Sequence, residues 1–235
     1  MNKEQILRNY HNIVFYSRSQ WDLLNSKRNR AIELLELFTK EGLNPYVYGS
    51  VARGDVNKES DIDIVFLNRV PSFKVEYILA KNGFENYFRE IIMATPSDSL
   101  KLYLYISELE CVTIPLTKLE KTSLEFYSFG GKVNLEQLKS ELRVPGVDKR
   151  LVLIIPIRKG HKEISIIDSE SNAAKKVGVS IETILERKRV LLRREKHGRT
   201  GPFIKKPLKI EESTQEALKE LANKKTIVRQ KLFKK

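Results

Sequence analysis

Two acidic residues, Asp61 and Asp63, lie at the start of a stretch whose composition predicts a β-strand. Residues 62–67, IDIVFL, are rich in β-branched and aromatic side chains. Successive side chains of a strand point to opposite faces, so the two carboxylates are expected on one face. Carboxylates this close repel unless a cation lies between them or one proton is shared. Because hard divalent ions such as Mg²⁺ prefer oxygen ligands of this kind, together with phosphates, the pair is a candidate metal site.

A Gly-Ser pair precedes the aspartates, separated from them by ten residues. Tyr46-Val47-Tyr48 predicts a short strand, which Gly49 and Ser50 close. A glycine lets the backbone approach a phosphate, while the following hydroxyl and amide groups donate hydrogen bonds to it. The alternative is an exposed edge strand with two solvated aspartates after a glycine turn.

The whole segment resembles the signature of the DNA-polymerase-beta-type nucleotidyltransferase superfamily. The matching residues are GSVARGD at 49–55 and SDID at 60–63, in the form found in small stand-alone prokaryotic members, archaeal ones included. The resemblance covers roughly the first half of the chain. It implies an α+β nucleotidyltransferase fold, in which helices flank a mixed or antiparallel sheet. It also implies transfer of NMP from an NTP such as ATP to an acceptor hydroxyl, with release of pyrophosphate.

The resemblance assigns roles to the motif residues. Gly49 and Ser50 would bind the triphosphate, and Asp61 and Asp63 would hold two Mg²⁺ ions, with Mn²⁺ as an alternative. Arg53 would either contact the triphosphate or brace the loop.

A third carboxylate is also implied, because two-metal phosphoryl transfer uses one to act on the incoming hydroxyl. The family places it on a strand a few dozen residues after the aspartate pair. Glu110, followed by CVTIP, resembles that position, although the family more often has Asp there. Glu108 and a solvated strand face are the alternatives.

The charge of the chain is concentrated in its second half. The chain has a net charge of +13. Residues 1–120 hold 15 basic and 16 acidic side chains, whereas residues 121–235 hold 28 basic and 14 acidic ones. Such asymmetry indicates a partner that is acidic, with nucleic acid as the leading candidate and RNA or a tRNA-like molecule preferred. A solvated basic surface is the alternative. The predicted contacts lie on a helix over residues 180–196 and in the adjoining loop: Arg187, Arg189, Arg193, Arg194, Arg199, Lys205 and Lys206.

Other acceptors remain open, because the family modifies RNA, DNA ends, proteins and small molecules such as antibiotics. A protein or small-molecule acceptor, as in toxin–antitoxin or antibiotic-type enzymes, is one alternative. A catalytically inactive module that binds nucleotide or nucleic acid is another.

Patterns elsewhere in the chain predict the supporting elements. An amphipathic helix is expected over residues 27–41, ending at Gly42, and one or two short helices over residues 2–24. The apolar run 151–157 predicts a buried strand. We expect a catalytic domain over residues 1–128, a basic accessory domain of α/β or α+β type over 129–210, and a helix with a basic, disordered tail over 211–235.

The single cysteine, Cys111, excludes a disulfide within the chain and cysteine-based zinc sites. No apolar run approaches the length of a membrane span, and residues 1–10 lack the apolar core of a signal peptide. These features favour a cytoplasmic protein without a membrane partner.

Overall fold

The computed structural model of the chain describes residues 5–84 and 88–233. Its strands are β1 (His11–Phe15), β2 (Tyr46–Tyr48), β3 (Ile62–Val65), β4 (Phe88–Met93), β5 (Lys101–Ser107), β6 (Glu110–Pro115), β7 (Lys132–Val133), β8 (Gly146–Val147), β9 (Val152–Ile157), β10 (Gly160–Ser165) and β11 (Ile204–Pro207). Its helices are α1 (Arg18–Thr39), α2 (Ser50–Arg53), α3 (Ser72–Lys81), α4 (Lys121–Gly130), α5 (Leu135–Lys139), α6 (Glu170–Val177), α7 (Ile181–His197), α8 (Thr214–Lys224) and α9 (Thr226–Phe233).

The larger sheet contains the predicted motif. Its strand order is β11-β4-β5-β6-β3-β2-β7, and β3 and β6 pair in parallel whereas the other neighbours are antiparallel. This mixed sheet with flanking helices confirms the predicted α+β class.

One face of the larger sheet is apolar and covered by helices. Ile62, Ile64 and Val112 point to this face and are buried in a core that α1, α3 and α8 share. The predicted helix over residues 27–41 forms the second half of α1, which begins earlier because Ser17 caps it at Arg18. The opposite face carries aromatic and ionisable side chains, and α4 packs over part of it through Tyr127.

The smaller sheet has the order β1-β10-β9-β8 and is entirely antiparallel. The predicted strand over residues 151–157 forms β9, at its centre. Its apolar side packs with α6 and α7 in a separate core, which Phe129 of α4 joins. Helix α4 therefore contacts both sheets.

Three local predictions are corrected by the structure. Residues 11–15, HNIVF, form strand β1 rather than a helix, because their β-branched and aromatic side chains pair with β10. Residues 204–207 form β11 on the edge of the larger sheet, where a loop was expected. Residues 226–233 form α9, whose Val228 is fully buried in the main core, where a disordered tail was expected.

The two sheets interleave along the chain. Strand β1, from the first fifteen residues, belongs to the sheet formed otherwise by residues 146–165, and β11 returns to the larger sheet. The division at residues 128 and 210 remains a prediction, and these two strands cross it. Among the described residues, no helix is both long and apolar enough to span a membrane.

Candidate active site

The turn after β2 depends on a conformation that favours glycine. Gly49 has φ 84° and ψ −146°, in the region that residues with a Cβ rarely adopt. Its N–H donates to the carbonyl oxygen of Gly131 at 2.9 Å, which fixes the end of the strand. The chain then enters α2 at Ser50, and the first turn of a helix leaves backbone N–H groups without partners inside the helix. The turn therefore presents amides and the Ser50 hydroxyl together.

The register of β2 and β3 brings the aspartates to this turn. Tyr48 pairs with Asp63, so Gly49 and Ser50, which continue β2, come opposite the start of β3, where Asp61 lies. All four residues Gly49, Ser50, Asp61 and Asp63 line one cleft of about 1120 Å³. The structure therefore brings the four residues together, and their roles in binding stay predictions.

The two carboxylates differ in their surroundings. Asp61 is exposed, whereas Asp63 is partly buried. Burial, and then the charge of Asp61, raises the pKa of Asp63 to about 7. A bound cation would remove this penalty, because it stabilises both charged carboxylates. The pair therefore fits a hard divalent ion.

No carboxylate completes a three-ligand cluster around the pair. Within residues 5–84 and 88–233, no group of three or more His, Cys, Asp or Glu side chains could hold a metal ion. The register partner of Asp63 on β6 is Cys111, and burial, then Asp63, raises the pKa of its thiol to about 12. A neutral thiol is a poor ligand for Mg²⁺, so the protein's share of such a site is the two aspartates, a number that Mg²⁺ bound to substrate phosphates commonly uses.

The structure does not bring Glu110 to the aspartates. Glu110 pairs with Ile62, so it points to the face opposite Asp63. There Nε of Arg30, on α1, donates to Oε1 of Glu110 at 2.6 Å, and Nη2 donates to Oε2 at 3.2 Å. Glu108 lies in the turn between β5 and β6 and does not line the cleft.

Arg53 braces the motif loop. Its Nε and Nη2 atoms donate to the two carboxylate oxygens of Asp55, each at 2.9 Å, and Nη1 donates to the carbonyl oxygen of Gly130 at 2.7 Å. The side chain is buried, and these bonds use three of its five N–H donors. Of the two roles expected for Arg53, the geometry favours support of the loop between β2 and β3.

The smaller sheet supplies much of the remaining cleft wall. Phe15, Tyr16, Asp148, Arg150, His161 and Glu163 all line it. The hydroxyl of Tyr16 donates to the carbonyl oxygen of Gly54 at 2.8 Å and lies 2.7 Å from Nδ1 of His161. This contact ties the motif loop to the second sheet.

Sequence reasoning missed this wall. Glu163 accepts hydrogen bonds from Arg150, Tyr10 and Asn12, which overcome the effect of burial and lower its pKa to about 2. His161 is buried too. The adjacent β-branched residues Ile13 and Val14 in HNIVF favour a strand, but they do not specify its partner.

The predicted nucleic-acid contacts separate into three groups. Arg187, Arg194 and Arg199 line the same cleft as the aspartates. Arg189 and Arg193 are exposed and do not line it. Lys205 lies 3.3 Å from Glu90, and Lys206 forms ion pairs with Glu212 and Glu220, so carboxylates already neutralise both lysines.

The mixed sheet with its flanking helices, and the cleft that holds the Gly-Ser pair and the two aspartates, are typical of a nucleotidyltransferase. A family model described as the nucleotidyltransferase domain matches residues 32–228. The chain belongs to this family, within the DNA-polymerase-beta-type superfamily, and is a transferase enzyme. Searches of curated proteins and of solved structures give no match.

Proposed function

We propose that this protein transfers NMP from an NTP to a hydroxyl of a nucleic-acid acceptor in a reaction that depends on a divalent cation, with Mg²⁺ as the expected ion. The observation that carries the proposal is the single cleft lined by Gly49, Ser50, Asp61 and Asp63, and also by three arginines of the C-terminal half. This arrangement supports a site for a nucleotide next to a site for a second anion.

Asp61 and Asp63 would hold the metal ion. When bound, the ion supplies charge stabilisation to the attacking and leaving oxygens in the transition state. The amides after Gly49 and the Ser50 hydroxyl would orient the triphosphate, and the fixed turn keeps these donors in place before the substrate arrives. Arg53 would act through the loop that it braces. Glu110 has no role in the proposal, because it points away from the cleft and is bound by Arg30.

An RNA acceptor is supported by the charge of the chain. The second half carries 28 basic and 14 acidic residues, and Arg187, Arg194 and Arg199 line the cleft. Contacts with phosphates release counterions, so affinity for single-stranded RNA should fall with salt by a log–log slope of about −0.7 for each contact. A small-molecule acceptor would not need such a surface.

Labelling identifies the acceptor. The protein is incubated with Mg²⁺, each α-labelled NTP in turn, and RNA, DNA or protein fractions of a cell extract. We expect label that ribonuclease removes and protease does not, with no label when Asp63→Asn replaces the parent. Label that only protease removes, or label in a small molecule, would overturn the nucleic-acid acceptor. Tight NTP binding with no transfer to any fraction would instead indicate a binding module.

A further inference from the structure

A second, smaller pocket lies beside the cleft on the polar face of the larger sheet. Its volume is about 250 Å³, below the roughly 300 Å³ at which pockets for drug-sized ligands begin. It shares Tyr48, Phe126, Arg187 and Arg194 with the cleft, so the two spaces adjoin. Tyr48 is the register partner of Asp63, which puts the pocket next to the candidate metal site.

Lys101, at the start of β5, is one cation of this pocket. Its Nζ atom lies 5.9 Å and 5.3 Å from the ring centroids of Phe126 and Tyr127. Among the ion pairs of the described residues, none involves Lys101. Burial lowers its pKa, and the charge of Asp98 offsets only part of that effect. The fold therefore keeps this ammonium group partly buried, and no carboxylate of the described residues forms an ion pair with it.

Arg187, on α7, is the second cation. Its guanidinium carbon lies 4.7 Å from the ring centroid of Phe126, and its Nε atom is buried without a hydrogen-bond partner in the described part of the chain. Burial, and then the neighbouring Arg194, lowers its pKa. A buried donor without an acceptor costs about 1–3 kcal/mol, and more when the group is charged, so an acceptor bound at this Nε atom would remove that cost.

The rest of the lining supplies mainly hydrogen-bond donors. Tyr48, Tyr103 and Tyr127 line the pocket, together with Thr122 and Ser123 of the first turn of α4, and each of these side chains carries a hydroxyl group. That helix begins without a side-chain cap, and the N-terminus of a helix favours an anion. The acids of the pocket are Asp98, which accepts a hydrogen bond from Thr95, and Glu186. Neither forms an ion pair with Lys101 or Arg187 within the described residues.

We propose that Lys101 and Arg187 form a binding site for a phosphate group of a substrate, adjoining the Gly49-Ser50 and Asp61/Asp63 site. Phosphate matches the volume, the two cations and the surrounding donors. This inference rests on the proposed transferase function for the identity of the substrate. The phosphate comes either from the polyphosphate of the nucleotide or from the backbone of the acceptor strand.

Binding measurements that require no turnover test the phosphate site and identify whether its phosphate group comes from the nucleotide or from the acceptor. Calorimetry compares the parent with Lys101→Gln and Arg187→Gln, using Mg²⁺-pyrophosphate as one probe and a 12-nucleotide single-stranded RNA without NTP as the other. We expect each variant to bind one of the probes about tenfold more weakly, or weaker still, than the parent does. The reason is that each substitution removes a charge-assisted hydrogen bond. Loss confined to pyrophosphate assigns the pocket to the nucleotide, and loss confined to RNA assigns it to the acceptor.

Two controls keep the test specific. Lys219→Gln removes an exposed lysine of α8 that lines neither space, and this variant should bind both probes as the parent does. Lys101→Arg keeps the charge and should retain most of the affinity. Thermal unfolding of the unliganded variants gives a separate readout: removal of an unneutralised buried cation should leave the melting temperature unchanged or raise it, whereas a purely structural role would lower it.

The inference is overturned if Lys101→Gln and Arg187→Gln bind both probes as tightly as the parent, or if both melt earlier while binding is unchanged. Because neither probe requires catalysis, this result is independent of transfer activity. A protein that binds pyrophosphate through these residues but transfers no NMP would contradict the proposed function and leave the phosphate site standing.

Discussion

Strands β3 and β6 carry acidic side chains on both faces of the larger sheet. The acidic side chains on the two faces differ in whether an arginine pairs with them. On the helix-covered face, Arg30 donates two hydrogen bonds to Glu110. On the cleft face, Asp63 lies near Asp61, and the described residues form no ion pair with either aspartate. Asp55 and Glu163, elsewhere around the cleft, resemble Glu110 in having an arginine partner. A carboxylate that an arginine already neutralises is a structural element, whereas a partly buried carboxyl group without an ion pair is available for a ligand.

The largest expected effect is on Asp63. Replacing it with Asn keeps the shape but removes a charge that would hold the metal ion, so the rate of NMP transfer should fall by roughly 10³-fold or more, a loss of about 4 kcal/mol of transition-state stabilisation. Steady-state kinetics with saturating NTP measure this effect. The unliganded variant should unfold at an equal or higher temperature than the parent, because the repulsion from Asp61 is gone. Transfer at the parental rate would remove Asp63 from the site.

Asp55 should show the opposite behaviour. Asp55→Asn leaves the buried guanidinium of Arg53 without its charged partner, and breaking a buried ion pair costs about 3 kcal/mol or more. Urea unfolding measures the free energy of unfolding. The double variant Arg53→Met with Asp55→Asn is the control, since it leaves no unpaired charge and should recover part of the loss. Equal losses in the single and double variants would contradict a coupled pair.

Glu110 should affect stability modestly and catalysis little. Arg30 is partly exposed, so the pair is partly screened, and Glu110→Gln should lower the free energy of unfolding by about 1 kcal/mol. The rate of NMP transfer should stay within about threefold of the parent, a change below 1 kcal/mol in the barrier. The same kinetic assay used for Asp63→Asn checks this. A catalytic loss as large as that of Asp63→Asn would show that Glu110 reaches the reacting groups.

Glu163 should give the protein a distinct dependence of stability on pH. Hydrogen bonds from Arg150, Tyr10 and Asn12 outweigh burial and hold its pKa at about 2, below the ordinary value for glutamate. The charged form is therefore favoured in the folded state, and its stabilising effect is present above about pH 4.3 and lost as the pH falls towards 2. Melting temperatures of the parent and of Glu163→Gln should differ at pH 7 and converge near pH 2–3. A constant difference over this range would contradict the prediction.

The sequence was sufficient for the motif because its residues are local. Gly49, Ser50, Asp61 and Asp63 lie within fifteen positions, and their strand–turn–strand setting follows from composition alone. Helices with a clear apolar stripe and a cap, such as α7 with Ser180, were predictable for the same reason.

The face of Glu110 was not predictable. A turn at residues 108–109 separates β5 from β6, and the register after such a turn depends on pairing with β3. A shift of one residue in the register moves every side chain of a strand to the other face of the sheet. With such a shift Glu110, and not Cys111, would lie on the cleft face beside Asp63. The second wall of the cleft was hidden too, because β1 and β10 pair across most of the chain. Lys101 gave no signal, since an isolated lysine at the start of an alternating strand is ordinarily solvated.

The pairing of β1 with β10 also sets an order of events during synthesis. Tyr10 and Glu163, which hydrogen-bond beside this pairing, are 153 residues apart in sequence. At about 5–20 residues per second, β1 leaves the ribosome on the order of ten seconds before its partner strand exists. During that interval HNIVF is an unpaired strand with apolar side chains, the kind of segment that pairs wrongly or recruits a chaperone. The cleft wall that contains Phe15 and Tyr16 can therefore form only after β10 has been made, although Phe15 and Tyr16 themselves are made long before it.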